Sequence, residues 1–251
     1  MVNDYNLEKQ EGITRVLFVG DSVVLRCDII HCLKDLYGES DFEYWNAGVN
    51  GFNTAQEIEF FKQFNYMIRP DLVILLFHNI DFETTPVAFI DESGSFSVYA
   101  PEMPTNYFHR WLFRHSYLFR SIVSLLFSRL RESALEDPQA WQERVQSVQA
   151  ELRELKQFLE RDRVRFSVVI LPIIDPPGQW SWNEIRSFEQ ILFILNDLHI
   201  RYFDLLPVIT SLVSKGYSLQ GDVSDRWHPT PEVSCSFAQY LYNKGLFDSS
   251  R

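Results

Sequence analysis

The chain has 251 residues, 46% of them hydrophobic and 15% aromatic, which suits one large α/β domain better than two small ones. Its formal net charge of -11 repels phosphate backbones and excludes nucleic acid as an expected partner. No run of about 18 apolar residues exists, so no integral membrane segment is expected, and the polar start MVNDYNLEKQEG lacks the parts of a signal peptide, which reads as cytoplasmic.

Strand and helix signals alternate along the chain. Residues 15–19, RVLFV, form a short apolar run suited to a buried parallel strand. Residues 23–36 read as one helix, with Val24, Cys27, Ile30 and Leu33 on its apolar face. A second strand over 42–45 runs into Asn46-Ala47-Gly48-Val49-Asn50-Gly51, a loop by composition. Residues 54–64 are helical, and Pro70-Asp71 opens the strongest strand signal, residues 72–77. Regularity breaks near residue 82. Residues 84–108 hold three prolines and a Ser-Gly-Ser turn, 111–130 read as an apolar and basic helix, and 138–161 as a long amphipathic one. Alternation resumes with a strand at 165–171, a helix at 183–198, a strand at 201–204, and helices at 207–215 and 232–243. Five strands separated by helices predict a parallel sheet covered on both faces. Residues 84–135 read as an insertion within a single domain. The aromatic and basic stretch 106–120 fits a packed helix or a lid over a pocket, and the charges over 139–161 fit a solvated helix face.

Three cysteines, Cys27, Cys32 and Cys235, form no C-x-x-C pair and read as reduced thiols in helices.

In a parallel α/β sheet ligands bind at the carboxyl ends of the strands. Four polar groups fall there: Gly20-Asp21-Ser22, Asn46 to Gly51, His78-Asn79-Ile80-Asp81, and Asp225-Arg226-Trp227-His228. A serine opening a helix is ordinarily a cap, but that does not account for a histidine and a carboxylate at the corresponding edge. A serine hydroxyl becomes a useful nucleophile beside a base. His228 is the candidate base, and Asp225 the group that fixes its tautomer. Backbone amides at Ser22 and Gly51 are candidate oxyanion donors, with the Asn79 side chain as a third. Asp222, Asp225 and His228 in one loop also suggest a metal site, but no other dense His/Asp/Cys cluster supports one.

Gly-Asp-Ser near the N-terminus, Asn-x-Gly-x-x-Gly after the second strand, an Asn after the third and Asp-x-x-His-Pro near the C-terminus resemble the SGNH or GDSL hydrolases. The resemblance covers the whole chain in order except the insertion. It implies a flavodoxin-like three-layer α/β/α sandwich with a five-stranded parallel sheet, and no metal or other cofactor. It further implies hydrolysis of a small-molecule, glycan or lipid acyl ester through an acyl-serine. Carried over by position, Ser22 is the nucleophile, His228 the base, Asp225 its orienter and Gly51 an oxyanion donor; Asp21 steadies the loop. One position departs from the pattern. Counted from Pro70, Ile80 falls where the family carries its Asn, so either Asn79 reaches the oxyanion or the side-chain donor is missing, with His78 as a substitute. The same motifs admit two other readings, acyl transfer to a glycan or other hydroxyl, and a catalytically weak binding protein.

Overall fold

A computed structural model describes residues 7–82, 87–90, 96–99, 107–119, 121–123, 138–222 and 225–248. The chain divides into two compact units, residues 1–83 with 147–251, and residues 84–146.

The first unit is built on five parallel strands: β1 (Thr14–Gly20), β2 (Phe42–Gly48), β3 (Leu72–His78), β6 (Arg165–Leu171) and β7 (Tyr202–Asp204). They lie in the order β2-β1-β3-β6-β7. The three central strands are apolar runs because both of their faces are covered. On one face Val16, Phe18, Ile74, Val169 and Leu171 join a core with α2 (Asp28–Tyr37), α7 (Leu206–Ser214) and α8 (Pro231–Asn243). Residues of the other parity, among them Val73, Leu75, Phe77, Val168 and Ile170, are equally buried. With them are buried Ile58 and Phe61 of α3 (Thr54–Ile68), Leu155 and Leu159 of α5 (Pro138–Arg161) and Ile191 and Ile194 of α6 (Trp182–Asp197). This is a three-layer α/β/α fold.

Three features differ from the sequence reading. Residues 23–36 do not form one helix. A single turn, α1 (Ser22–Leu25), is separated from α2 by Cys27, whose φ of 67° is left-handed. The Asn46 side chain explains the break: its Nδ2 donates to Val24 O at 2.8 Å and to Cys27 Sγ at 2.6 Å, taking a carbonyl that a continuing helix needs. Second, Cys32 of α2 and Cys235 of α8 are not reduced thiols but a disulfide, across 203 residues and with Cα atoms 5.2 Å apart; Cys27 is free. Helical spacing could not show this, because the two partners meet only through the packing of α2 on α8. Third, Arg15, placed at the start of a strand, is wholly buried. Its guanidinium is held by Glu43 Oε2 at 2.6 Å and the Ile68 carbonyl, and lies over the Trp45 ring.

The second unit contains an antiparallel hairpin, β4 (Val87–Ile90) with β5 (Phe96–Tyr99), and the helix α4 (Tyr107–His115). Residues 117–119 and 121–123 are also helical; the rest of the helix expected over 111–130 lies outside the described residues. Among the described residues no helix is long and apolar enough to cross a membrane.

Candidate active site

The chain leaves β1 toward β2 on one side and returns to β3 on the other, so the strand order reverses at β1. Such a switch point opens a crevice at the strand ends. The register brings the flanking loops together. Gly20 stands opposite Gly48 at the end of the β1–β2 ladder, and the Val49 amide donates to Gly20 O at 3.0 Å. Gly48 is required here, since a Cβ on it would collide with the backbone of Leu25 and Val24. Asn46 Oδ1 accepts from the Gly48 amide at 2.8 Å while its Nδ2 holds Val24 O. One asparagine thus fixes the loop after β2 against the turn that carries Ser22.

Asp21 is 4% exposed, and its Oδ1 accepts from the Val23 amide at 2.8 Å, capping α1. Ser22 is the next residue. Its Oγ stands 2.7 Å from His228 Nε2, a contact spanning 206 residues of sequence. The other ring nitrogen, Nδ1, lies 2.8 and 3.0 Å from the two Asp225 oxygens. Asp225 Oδ1 accepts in addition from the amides of Trp227 and His228, at 3.3 and 3.2 Å. With Nδ1–H donating to Asp225, Nε2 is the acceptor that faces the serine hydroxyl. Burial raises the Asp225 carboxyl, but the hydrogen bonds from the His228 ring and the two amides outweigh it and hold the group below its usual range. The carboxylate therefore stays charged where an imidazolium would form.

The histidine loop has its own anchor, absent from the sequence reading. Arg226 bonds Asp175 through Nε and Glu184 through Nη1 at 2.8 Å, and its carbonyl accepts from the Ile174 amide at 3.0 Å. Asp175 follows β6, and Glu184 completes the capping box that starts α6. The loop is thus tied to the end of a central strand. A charged residue between Asp225 and His228 is the only local signal of this, since its partners lie 42 and 51 residues away.

Gly51, with φ of 72°, occupies the turn before Asn53, whose side chain caps α3 in a capping box with Gln56. Asn79 begins a 3-10 turn, Asn79–Phe82, directly after β3. The side chains of Asn79 and Ile80 lie outside the described residues. His78 is 2% exposed, and its ring meets that of Trp227 edge-on at 5.1 Å. Burial, opposed by Asp21 and assisted by His228, lowers its imidazole to about 4, so it is neutral. A small apolar pocket lies beside these strand ends, lined by Phe77, His78, Ile170, Pro172, Trp180 and Phe188.

No family model and no curated protein matches the sequence. Solved structures do match the fold. Axe2, an acetylxylan esterase from Geobacillus stearothermophilus, superposes with a TM-score of 0.54 at 14% identity over 96% of this chain and 100% of its own. The acetyl xylan esterase AlAXEase gives 0.51 at 14% identity, over 92% and 98%. LAE5, an alpha/beta hydrolase enzyme from the metagenome of Lake Arreo, Spain, gives 0.58 at 12% identity, over 94% and 97%. At such identity the likeness is one of fold.

Proposed function

We propose that the chain is a serine ester hydrolase of the SGNH type, acting through an acyl-serine formed on Ser22. The observation that carries this reading is the contact of Ser22 Oγ with His228 Nε2 at 2.7 Å, with Asp225 on the opposite ring nitrogen. A cap alone would not need a histidine 206 residues away.

In the first half-reaction Ser22 Oγ attacks the ester carbonyl carbon and His228 Nε2 takes the hydroxyl proton. Asp225 keeps Nδ1 protonated and stabilises the imidazolium. The amides of Ser22 and Gly51 donate to the oxyanion, with Asn79 as the third donor. The C–O bond to the alcohol breaks, and His228 returns its proton to that oxygen. Water, deprotonated by the same imidazole, then attacks the acyl-serine and releases the acid.

Three solved variants of Axe2, described as catalytic mutants, replace a serine, a histidine and an aspartate, the last two being three residues apart. Asp225 and His228 share that spacing. We therefore place the substrate among short acyl esters, with acetyl groups on a glycan as the first class to test. A fluorophosphonate probe decides the nucleophile. Labelling of wild type that is lost in Ser22→Ala and in His228→Ala supports the reading; labelling that survives Ser22→Ala ends it. Hydrolysis of a nitrophenyl acetate by wild type but not by Ser22→Ala then assigns the activity.

A further inference from the structure

One charged side chain in the crevice is left unused by the acyl-serine route. Arg26 ends α1, one turn after Ser22, and its amide donates to Ser22 O at 3.1 Å. Its guanidinium Nη2 stands 3.6 Å from Asp225 Oδ2. A cation that starts from the nucleophile turn is thus set beside the carboxylate that holds His228. The local structure explains the placement. The chain does not run on from α1 into α2: Cys27 is left-handed, its amide donates to Val24 O at 3.0 Å, and Asn46 Nδ2 holds the same carbonyl and the Cys27 sulfur. Asn46 therefore fixes the segment from which Arg26 extends.

Asp225 is held unevenly. Oδ1 accepts from the His228 ring at 2.8 Å and from the amides of Trp227 and His228. Oδ2 has the ring nitrogen at 3.0 Å and, beyond it, Arg26. At 3.6 Å the contact is an ion pair and not a hydrogen bond, so charge carries it and the shape of the guanidinium does not. The two side chains are 51% and 30% exposed, which leaves the pair weak in water and open to salt. Arg226, the arginine of the histidine loop, is engaged elsewhere, on Asp175 and Glu184.

We propose that Arg26 is a positioning residue for Asp225, steadying the carboxylate through Oδ2 and offsetting part of its charge. The consequence for the reaction follows from the signs of the charges. Asp225 stabilises an imidazolium at His228, and a cation on the same carboxylate opposes it. His228 then returns its proton to the leaving alcohol more readily than it would beside an unopposed carboxylate, and Asp225 keeps one orientation through both half-reactions. Only these catalytic consequences rest on the esterase reading. Arg26 takes part in no proton transfer and forms no bond to substrate.

The test compares Arg26→Gln with Arg26→Lys. The first readout is the titration of the His228 ring followed by NMR at low salt, which needs no activity. The other groups that bear on this ring are unchanged by either substitution: Asp225 at Nδ1, Ser22 at Nε2, the buried neutral His78 with Asp21 acting on it, and, in the same loop, Asp222 and the tied Arg226. Removing the cation should raise the titration midpoint in Arg26→Gln by roughly 0.3–0.5 pH unit, the effect of a unit charge acting across a carboxylate in a water-like dielectric. Arg26→Lys should stay near wild type, and about 0.5 M salt should bring wild type and Arg26→Gln together. Equal midpoints at low salt, or a difference that survives high salt, overturn the proposal. On nitrophenyl acetate the acid limb of kcat/KM against pH should move up with the midpoint, and the plateau kcat of Arg26→Gln should fall about three- to fivefold with KM little changed, restored by lysine. In an Asp225→Asn background the same substitution should change kcat by less than about twofold; the full loss there shows that Arg26 does not act through Asp225 and overturns its positioning role. Midpoints that shift as expected in a protein that hydrolyses no ester leave the Arg26–Asp225 contact standing and remove the proposed reaction.

Discussion

Reduction of the Cys32–Cys235 bond should loosen the fold that brings nucleophile and base together. Cys32 lies in α2, the helix that follows the Ser22 turn, and Cys235 in α8, the helix that follows the His228 loop. The bond closes a loop over a separation of 203 residues, so the entropy it removes from the unfolded chain amounts to about 5 kcal/mol by the logarithmic loop law, against roughly 2–5 kcal/mol lost when native disulfides are removed. For a chain of this length each kcal/mol moves the melting temperature by about 2–4 °C. Cys235→Ser, or treatment with a dithiol reductant, should therefore lower Tm by roughly 5–20 °C. The assay is thermal unfolding followed by circular dichroism, run with a thiol count in non-reducing denaturant. That count should give one thiol, Cys27, before reduction and three after it. Three thiols without reductant, from protein purified under oxidising conditions, would refute the pairing. A Tm indifferent to reductant would refute the argument that the bond restrains the unfolded chain. Disulfides persist in oxidising surroundings, so the count also bears on where the protein works.

Asp225→Asn should leave the fold intact and lower kcat on nitrophenyl acetate by roughly 10⁴, because an amide at Nδ1 favours the wrong imidazole tautomer; a loss below tenfold removes Asp225 as orienter. The Asp225 carboxyl is held below its usual range, so its contribution to stability is present above the unfolded value near pH 3.9 and disappears as pH falls through the lower folded one. With the side chain 30% exposed, that contribution is under about 1 kcal/mol, and Asp225→Asn should flatten the acid limb of a Tm-versus-pH curve by that little. Arg226→Gln cuts the tie to Asp175 and Glu184; kcat should fall by about tenfold while Tm moves by only a few degrees, and unchanged kinetics would show that the loop holds itself. Arg15→Ala leaves Glu43 and the Ile68 carbonyl without their partner and should destabilise the protein by roughly 3–5 kcal/mol in urea denaturation, with activity per folded molecule retained.

The order of strands and helices was legible because buried parallel strands are uninterrupted apolar runs, and 15–19, 72–77 and 165–171 are such runs. The position of Ser22 directly after β1 followed from the same pattern. What stayed hidden is what depends on three-dimensional neighbours. The break at Cys27 comes from an asparagine 19 residues later, and no helical periodicity registers that. The disulfide joins residues on two helices that look like ordinary amphipathic ones. Arg15 reads as the polar start of a strand, although its side chain is fully buried. Glu57 sits on α3 where a first-turn acid is unremarkable; that it is buried shows only in three dimensions.

The carboxyls around this one crevice are sorted by what donates to them. Asp225 receives an imidazole N–H and two amides and stays charged. Burial, with the charges of Asp81 and Asp21, pushes the Glu57 carboxyl the other way, well above its usual range. The contrast matters for the reaction proposed for Ser22: a charge beside the imidazole must persist through the turnover so that His228 can accept and return a proton, and the three donors to Asp225 keep it there.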